Sequence, residues 1–143
     1  MNAITSDFII VDDDPIINLI SPKIINQVYP EARVVTFDDP DLALTYIKST
    51  YKKVCASNAL LLLDINMPTL SGWEFLDAFE KLDIRVKGRI KIYMLSYSLD
   101  PKDRERASKN KNVLGYMEKP LTKESLKTIF YSFNVLSHFS DSN

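Results

Sequence analysis

The stretch Phe8-Ile9-Ile10-Val11-Asp12-Asp13-Asp14-Pro15 runs an apolar segment straight into three carboxylates. An unbroken apolar run of this length reads as a strand buried on both faces, the kind found in parallel sheets. The acids that follow are costly there. Two unit charges about 4 Å apart repel by roughly 4 kcal/mol at an effective dielectric of 20. A chain that holds them at the end of a core strand needs something nearby to offset that repulsion.

Outward from this stretch the same unit recurs. Candidate strands at Phe8–Val11, Arg33–Phe37, Ala59–Ile65, Ile90–Leu95 and Val113–Met117 alternate with helix-period segments. Ile17, Ile20, Ile24 and Val28 share one face, and Leu42, Ala43, Tyr46 and Ile47 share another. Phe75, Leu76, Phe79 and Leu82 repeat the spacing, as do Leu126, Ile129, Phe130 and Phe133. Asp39-Pro40 and Asp100-Pro101 each set an N-cap acid before a proline at the first helical position, and Thr122 stands where it would cap the last helix. Asp14-Pro15 reads the same way, as the cap of the first helix.

Five strand–helix repeats predict an α/β fold, a doubly wound (βα)5 arrangement whose five-stranded parallel sheet is covered on both faces. Two helices are expected to be irregular. Pro22 falls inside the first helical pattern, where it removes a hydrogen bond and costs about 3 kcal/mol unless the helix kinks or breaks. The segment Asp100–Asn112 has little apolar besides Ala107. It is therefore expected to be weakly held and mobile.

Composition narrows the function classes. At 143 residues and 45% hydrophobic content the chain reads as one domain, with its core at about 7–134 and a frayed tail at about 137–143. With 18 Lys and Arg against 19 Asp and Glu, the net charge of -1 gives no reason to expect direct nucleic-acid binding. The single Cys55 excludes an internal disulfide framework and suits a reducing compartment; it reads as a small buried filler. The longest apolar run, Ala59–Leu63, falls far short of the ~20 residues a membrane span needs. The N-terminus MNAITSDF lacks the marks of a signal peptide. A soluble, cytoplasmic protein with no membrane insertion is expected, and His138 reads as a surface residue.

In open parallel sheets, sites form beyond the carboxyl ends of the strands. The residues waiting there are Asp12 and Asp13 after the first strand, Asp64 at the third, Ser96 after the fourth, and Lys119 followed by Pro120 after the fifth. Three carboxylates in one pocket need a cation, and hard oxygen donors suit Mg²⁺. A hydroxyl and an ammonium opposite them suit a visiting phosphate. One carboxylate can then attack phosphorus and form an acyl phosphate.

This pattern resembles the receiver domain of two-component response regulators, a flavodoxin-like fold, from Phe8 to about Phe133. The resemblance implies that Asp64 is the phosphoacceptor, within Asp64-Ile65-Asn66-Met67-Pro68-Thr69-Leu70-Ser71-Gly72. It implies that Asp12 and Asp13 hold Mg²⁺ together with Asp64 and the backbone carbonyl of Asn66. Ser96 matches the switch hydroxyl, Lys119 the family lysine, Pro120 the following proline that often takes a cis bond, and Tyr116 the switch aromatic. Tyr97 departs from the family's usual small residue and is expected to narrow access to Asp64. The implied donor is a sensor histidine kinase or a phosphotransfer protein. The implied recipients are a downstream target or relay partner and, in some members, a second copy in a phosphorylation-dependent dimer. The expected output is a change in the face built from the 100–112 helix, the fifth strand and the last helix. Catalysis would be limited to the protein's own phosphorylation and dephosphorylation, in a chain read as a single-domain regulator. The alternative is a pseudo-receiver, folded but unphosphorylated, that serves only as a protein-binding module. A haloacid-dehalogenase-type phosphatase fits less well, since Asn66 and Pro68 stand where its motif wants an acid and a threonine.

Overall fold

Side chains alternate between the two faces of a strand, and here each face finds helices to cover it. The computed structural model describes residues 7–53, 57–98, 100–129 and 131. Its strands are β1 (Asp7–Val11), β2 (Arg33–Phe37), β3 (Ala59–Asp64), β4 (Ile90–Ser96) and β5 (Val113–Glu118). They form a five-stranded sheet in the order β2-β1-β3-β4-β5, with every pairing parallel. The helices are α1 (Pro15–Val28), α2 (Pro40–Thr50), α3 (Gly72–Glu80), α4 (Ile84–Lys87), α5 (Pro101–Ser108) and α6, residues 123–129.

One layer of the core unites Ile9, Val11, Leu61, Leu63, Ile92 and Met94 of the sheet with Ala43 and Ile47 of α2, Phe75, Leu76 and Phe79 of α3, and Ala107 of α5. The other unites Phe8, Ile10, Leu60, Leu62, Tyr93 and Leu95 with Ile25 of α1 and Leu126 and Ile129 of α6. Each such buried Val, Leu, Ile, Phe or Met side chain contributes on the order of 1.5–3 kcal/mol relative to exposure. The predicted doubly wound fold is the one observed. Among the described residues no helix is long and apolar enough to cross a membrane.

Several local expectations are corrected. Pro22 does not break α1, which runs unbroken from Pro15 to Val28. Its missing N–H costs one helical bond, but Ile17 and Ile25 are buried on either side of it and hold both halves in line. The buried stripe of α1 is Ile17, Ser21 and Ile25, with Ile20, Ile24 and Val28 at its margins. A polar Ser21 in the middle of that stripe concealed it from a hydrophobic pattern. On α2, Leu42 is exposed and Ala43 and Ile47 face the core. The α4 turn was not anticipated, because four residues are too few to show a period. Cys55, Phe130, Phe133, His138 and the expected frayed tail lie outside the described residues.

The strand order fixes where ligands can sit. The chain runs outward from β1 to β2, then crosses back to β3, so the connections diverge at the carboxyl ends of β1 and β3. That divergence leaves a crevice outside the sheet.

Candidate functional site

Register brings the predicted residues to one rim. Val11 pairs with Leu63, so Asp12 and Asp64 leave neighbouring strands side by side. Asp64 pairs with Leu95 and Ser96 with Glu118, which sets Ser96 and Lys119 in the next rows. Backbone bonds continue the ladder past the strand ends. Asp12 N donates to Phe37 O at 3.0 Å, Ile65 N to Leu95 O at 3.2 Å and Lys119 N to Ser96 O at 2.7 Å. The side chains are therefore placed by the sheet itself.

Asp12, Asp64, Ser96 and Lys119 are buried, and Asp13 is exposed. Carboxylate oxygens of Asp12, Asp13 and Asp64 lie within 4.8 Å of one another. The Lys119 ammonium stands between two of these acids, donating to Asp12 Oδ2 at 2.9 Å and lying 3.2 Å from Asp64 Oδ1. Asp14 N donates to Asp12 Oδ1 at 2.9 Å, and Asn66 N to Asp64 Oδ1 at 3.3 Å. Burial, and then the charge of Asp12, push the Asp64 carboxyl up to about 7 against the pull of Lys119. For Lys119, burial is the largest influence and lowers its pKa, yet the contacts with Asp12 and Asp64 together outweigh it and raise the net value. The acids are electrostatically strained, and one ammonium only partly relieves them. Their hard oxygen donors fit Mg²⁺.

An open cavity of about 410 Å³ lies over this cluster, lined by Asp13, Asp64, Ser96 and Lys119 and completed by Asp14, Pro15, Asn66, Tyr97 and Ser98. Ser96 Oγ accepts from Ser98 N at 3.1 Å. Tyr116 does not line the cavity; its hydroxyl donates to Ser98 O at 2.6 Å, and the Arg104 guanidinium lies 5.9 Å from its ring centre. The Lys119–Pro120 bond is cis. Tyr97 sits at the mouth, its hydroxyl donating to Asp14 Oδ2 at 3.3 Å and its ring centre 4.6 Å from Lys119 Nζ.

Asp14 and Ser98 contribute in ways the sequence did not reveal, and the reason for Gly72, already present in the motif, was hidden too. Asp14 caps α1, as expected, but its second oxygen also faces the cavity mouth. Ser98 links Ser96 to Tyr116 through its own backbone, and its identity carries no signal of that. Gly72 opens α3 against the end of β3: a Cβ there would lie 2.6 Å from the Asp64 carbonyl oxygen and 2.9 Å from Ile65 Cα. The adjoining Ser71 and Glu74 form a reciprocal cap that seats this helix.

Comparison with known proteins points the same way. Residues 8–131 match the family model of the response regulator receiver domain. A response regulator receiver protein from Dyadobacter fermentans is 28% identical and superposes with a TM-score of 0.80, over 89% of this chain and 97% of that one. A two component response regulator from Cytophaga hutchinsonii is 27% identical with a TM-score of 0.79, over 90% of this chain and 96% of that one. Stress response regulator protein 1 of Meyerozyma guilliermondii is 39% identical over 67 residues, which are 47% of this chain and 28% of that protein. The match therefore spans only a minor part of that relative's length.

Proposed function

The chain belongs to the response regulator receiver domain family, and from that premise we propose that Asp64 accepts a phosphoryl group from the phosphohistidine of a sensor histidine kinase or phosphotransfer protein. The observation that carries this reading is the buried Asp12–Lys119–Asp64 contact at the strand ends, with Asp13 within reach of the same point. In an in-line displacement, an Asp64 carboxylate oxygen bonds to phosphorus as the bond from phosphorus to the imidazole nitrogen breaks, leaving an acyl phosphate.

Asp12, Asp13, Asp64 and the backbone carbonyl of Asn66 are the groups that would hold Mg²⁺, which when bound supplies positive charge against the phosphoryl oxygens. Lys119, already against Asp64, donates to a phosphoryl oxygen, and the Ser96 hydroxyl turns toward another. Ser96 moves within the same short segment whose Ser98 carbonyl holds Tyr116. Its shift frees Tyr116 to rotate inward and alters the α5–β5–α6 face that a downstream target, a relay partner or a second copy would read. Receiver domains are not classical enzymes; their chemistry is their own phosphorylation and dephosphorylation.

The test is incubation of the chain with Mg²⁺ and acetyl phosphate or beryllofluoride. We expect a mass gain of one phosphoryl group that is lost in Asp64→Asn. No gain, and no response to beryllofluoride, would sink the reading in favour of an unphosphorylated binding module.

A further inference from the structure

Tyr97 leaves 59% of its surface to solvent, yet it is held at two points. Its hydroxyl donates to Asp14 Oδ2 at 3.3 Å, and its ring faces the Lys119 ammonium at 4.6 Å. Asp14 divides its carboxylate between two tasks. Oδ1 accepts from Ile16 N at 2.9 Å as the cap of α1, and Oδ2 receives the phenol. The contact joins residues 83 positions apart and ties the segment after β4 to the start of α1. Both residues line the cavity over Asp64.

We propose that Tyr97 and Asp14 form a latch across one side of the phosphoacceptor cavity. Tyr97 shields the aspartyl phosphate from water, and Asp14 is the positioning residue that holds the ring in place. The inference rests on Asp64 being the phosphoacceptor. Loss of the phosphoryl group requires a water oxygen to bond to phosphorus in line with the Asp64 oxygen. The bond from that oxygen to phosphorus then breaks, inorganic phosphate departs with the water's protons, and the carboxylate is restored. A ring over the Lys119 end of the cavity removes part of the approach open to that water. The cation–ring attraction draws Tyr97 toward Lys119, while the hydrogen bond to Asp14 sets its reach across the mouth. That bond is long and exposed, so its loss should raise the open fraction by about fivefold.

The experiment labels the full chain with radioactive acetyl phosphate and Mg²⁺, removes the donor, and follows loss of label from Asp64. Tyr97→Phe removes only the hydroxyl. Asp14→Ser keeps a good helix cap and removes the second oxygen. Each is expected to speed loss by about fivefold. Tyr97→Ala is expected to speed it further, and Asp14→Ser added to Tyr97→Ala is expected to change nothing more. That non-additivity is what a merely structural Asp14 would not produce. Wild-type decay in Tyr97→Ala, or an Asp14→Ser effect that survives undiminished in the Tyr97→Ala background, would overturn the latch alone. Failure of the wild-type chain to take up label would overturn the phosphoacceptor reading and the latch with it.

Discussion

Asp64 shows how far a single side chain is governed by its surroundings. Its carboxyl rises from an ordinary 3.8 to about 7 through burial and the nearby charge of Asp12. The folded chain thus holds a proton that the unfolded chain releases at about pH 4. The stability this confers is complete below the unfolded value and drains away as pH rises through about 7. In metal-free protein the melting temperature should therefore fall between about pH 4 and pH 7 more steeply than in Asp64→Asn, which has no carboxyl to titrate. Parallel melting curves of the two would refute the assignment. Glu80, lowered to about 2 mainly by Asn112 and Lys111, acts in the opposite sense and only as pH falls below its ordinary 4.5. Its range lies almost wholly below that window. Gly72 makes the complementary point about space. Its absent Cβ would meet backbone, which cannot swing aside as a side chain can. Gly72→Ala should cost about 1–3 kcal/mol in urea denaturation. It should also slow labelling of Asp64, whose carbonyl must give way. The glycine was visible in the sequence motif, but its reason was not, because the close approach exists only once α3 has packed against β3.

Helix α5 is only thinly secured by apolar packing. Ala107 is its only buried residue. The Arg106 guanidinium lies 4.3 Å from the Trp73 ring centre and Arg104 stands near Tyr116, so aromatic–cation contacts substitute for part of the missing core. Such contacts are worth about 0.5–1 kcal/mol at exposed sites. Amides of residues 102–108 should exchange hydrogen faster than those of β4. Arg106→Ala should accelerate that exchange by roughly two- to fivefold with little change in the global denaturation midpoint. Equal protection of α5 and β4 would show a helix too firmly held to carry a switch. The apolar poverty of this segment could be read directly from the chain, because it is a matter of composition. Its two ring contacts could not, since Trp73 and Tyr116 come from α3 and β5. The continuity of α1 through Pro22 was likewise hidden, because local propensity argues for a break and only the burial of Ile17 and Ile25 decides otherwise.

At the scale of the whole molecule, the site exists only because the fold exists. Lys119 and Asp12 are 107 positions apart and meet through the strand order. One topological rule, that parallel strands present their carboxyl ends together, was enough to list Asp12, Asp64, Ser96 and Lys119 from the bare sequence. It could not show that one ammonium spans two acids, or that Asp14 serves both the helix and the cavity mouth, because those depend on side-chain direction. An unfolded chain offers no such cluster, so a cation that fits these carboxylates must bind the native state selectively. At ten times its dissociation constant it adds about 1.4 kcal/mol. For a domain of this size that is an increase in melting temperature of about 3–5 °C. Asp13 is the acid to remove, since it is exposed and its loss leaves the buried Asp12–Lys119–Asp64 contact in place. Asp13→Ala, freed of one like charge, should melt no lower than the parent without Mg²⁺ and gain nothing when Mg²⁺ is added at constant ionic strength. A gain equal to the parent's would assign the effect to general screening and take Asp13 out of the metal site.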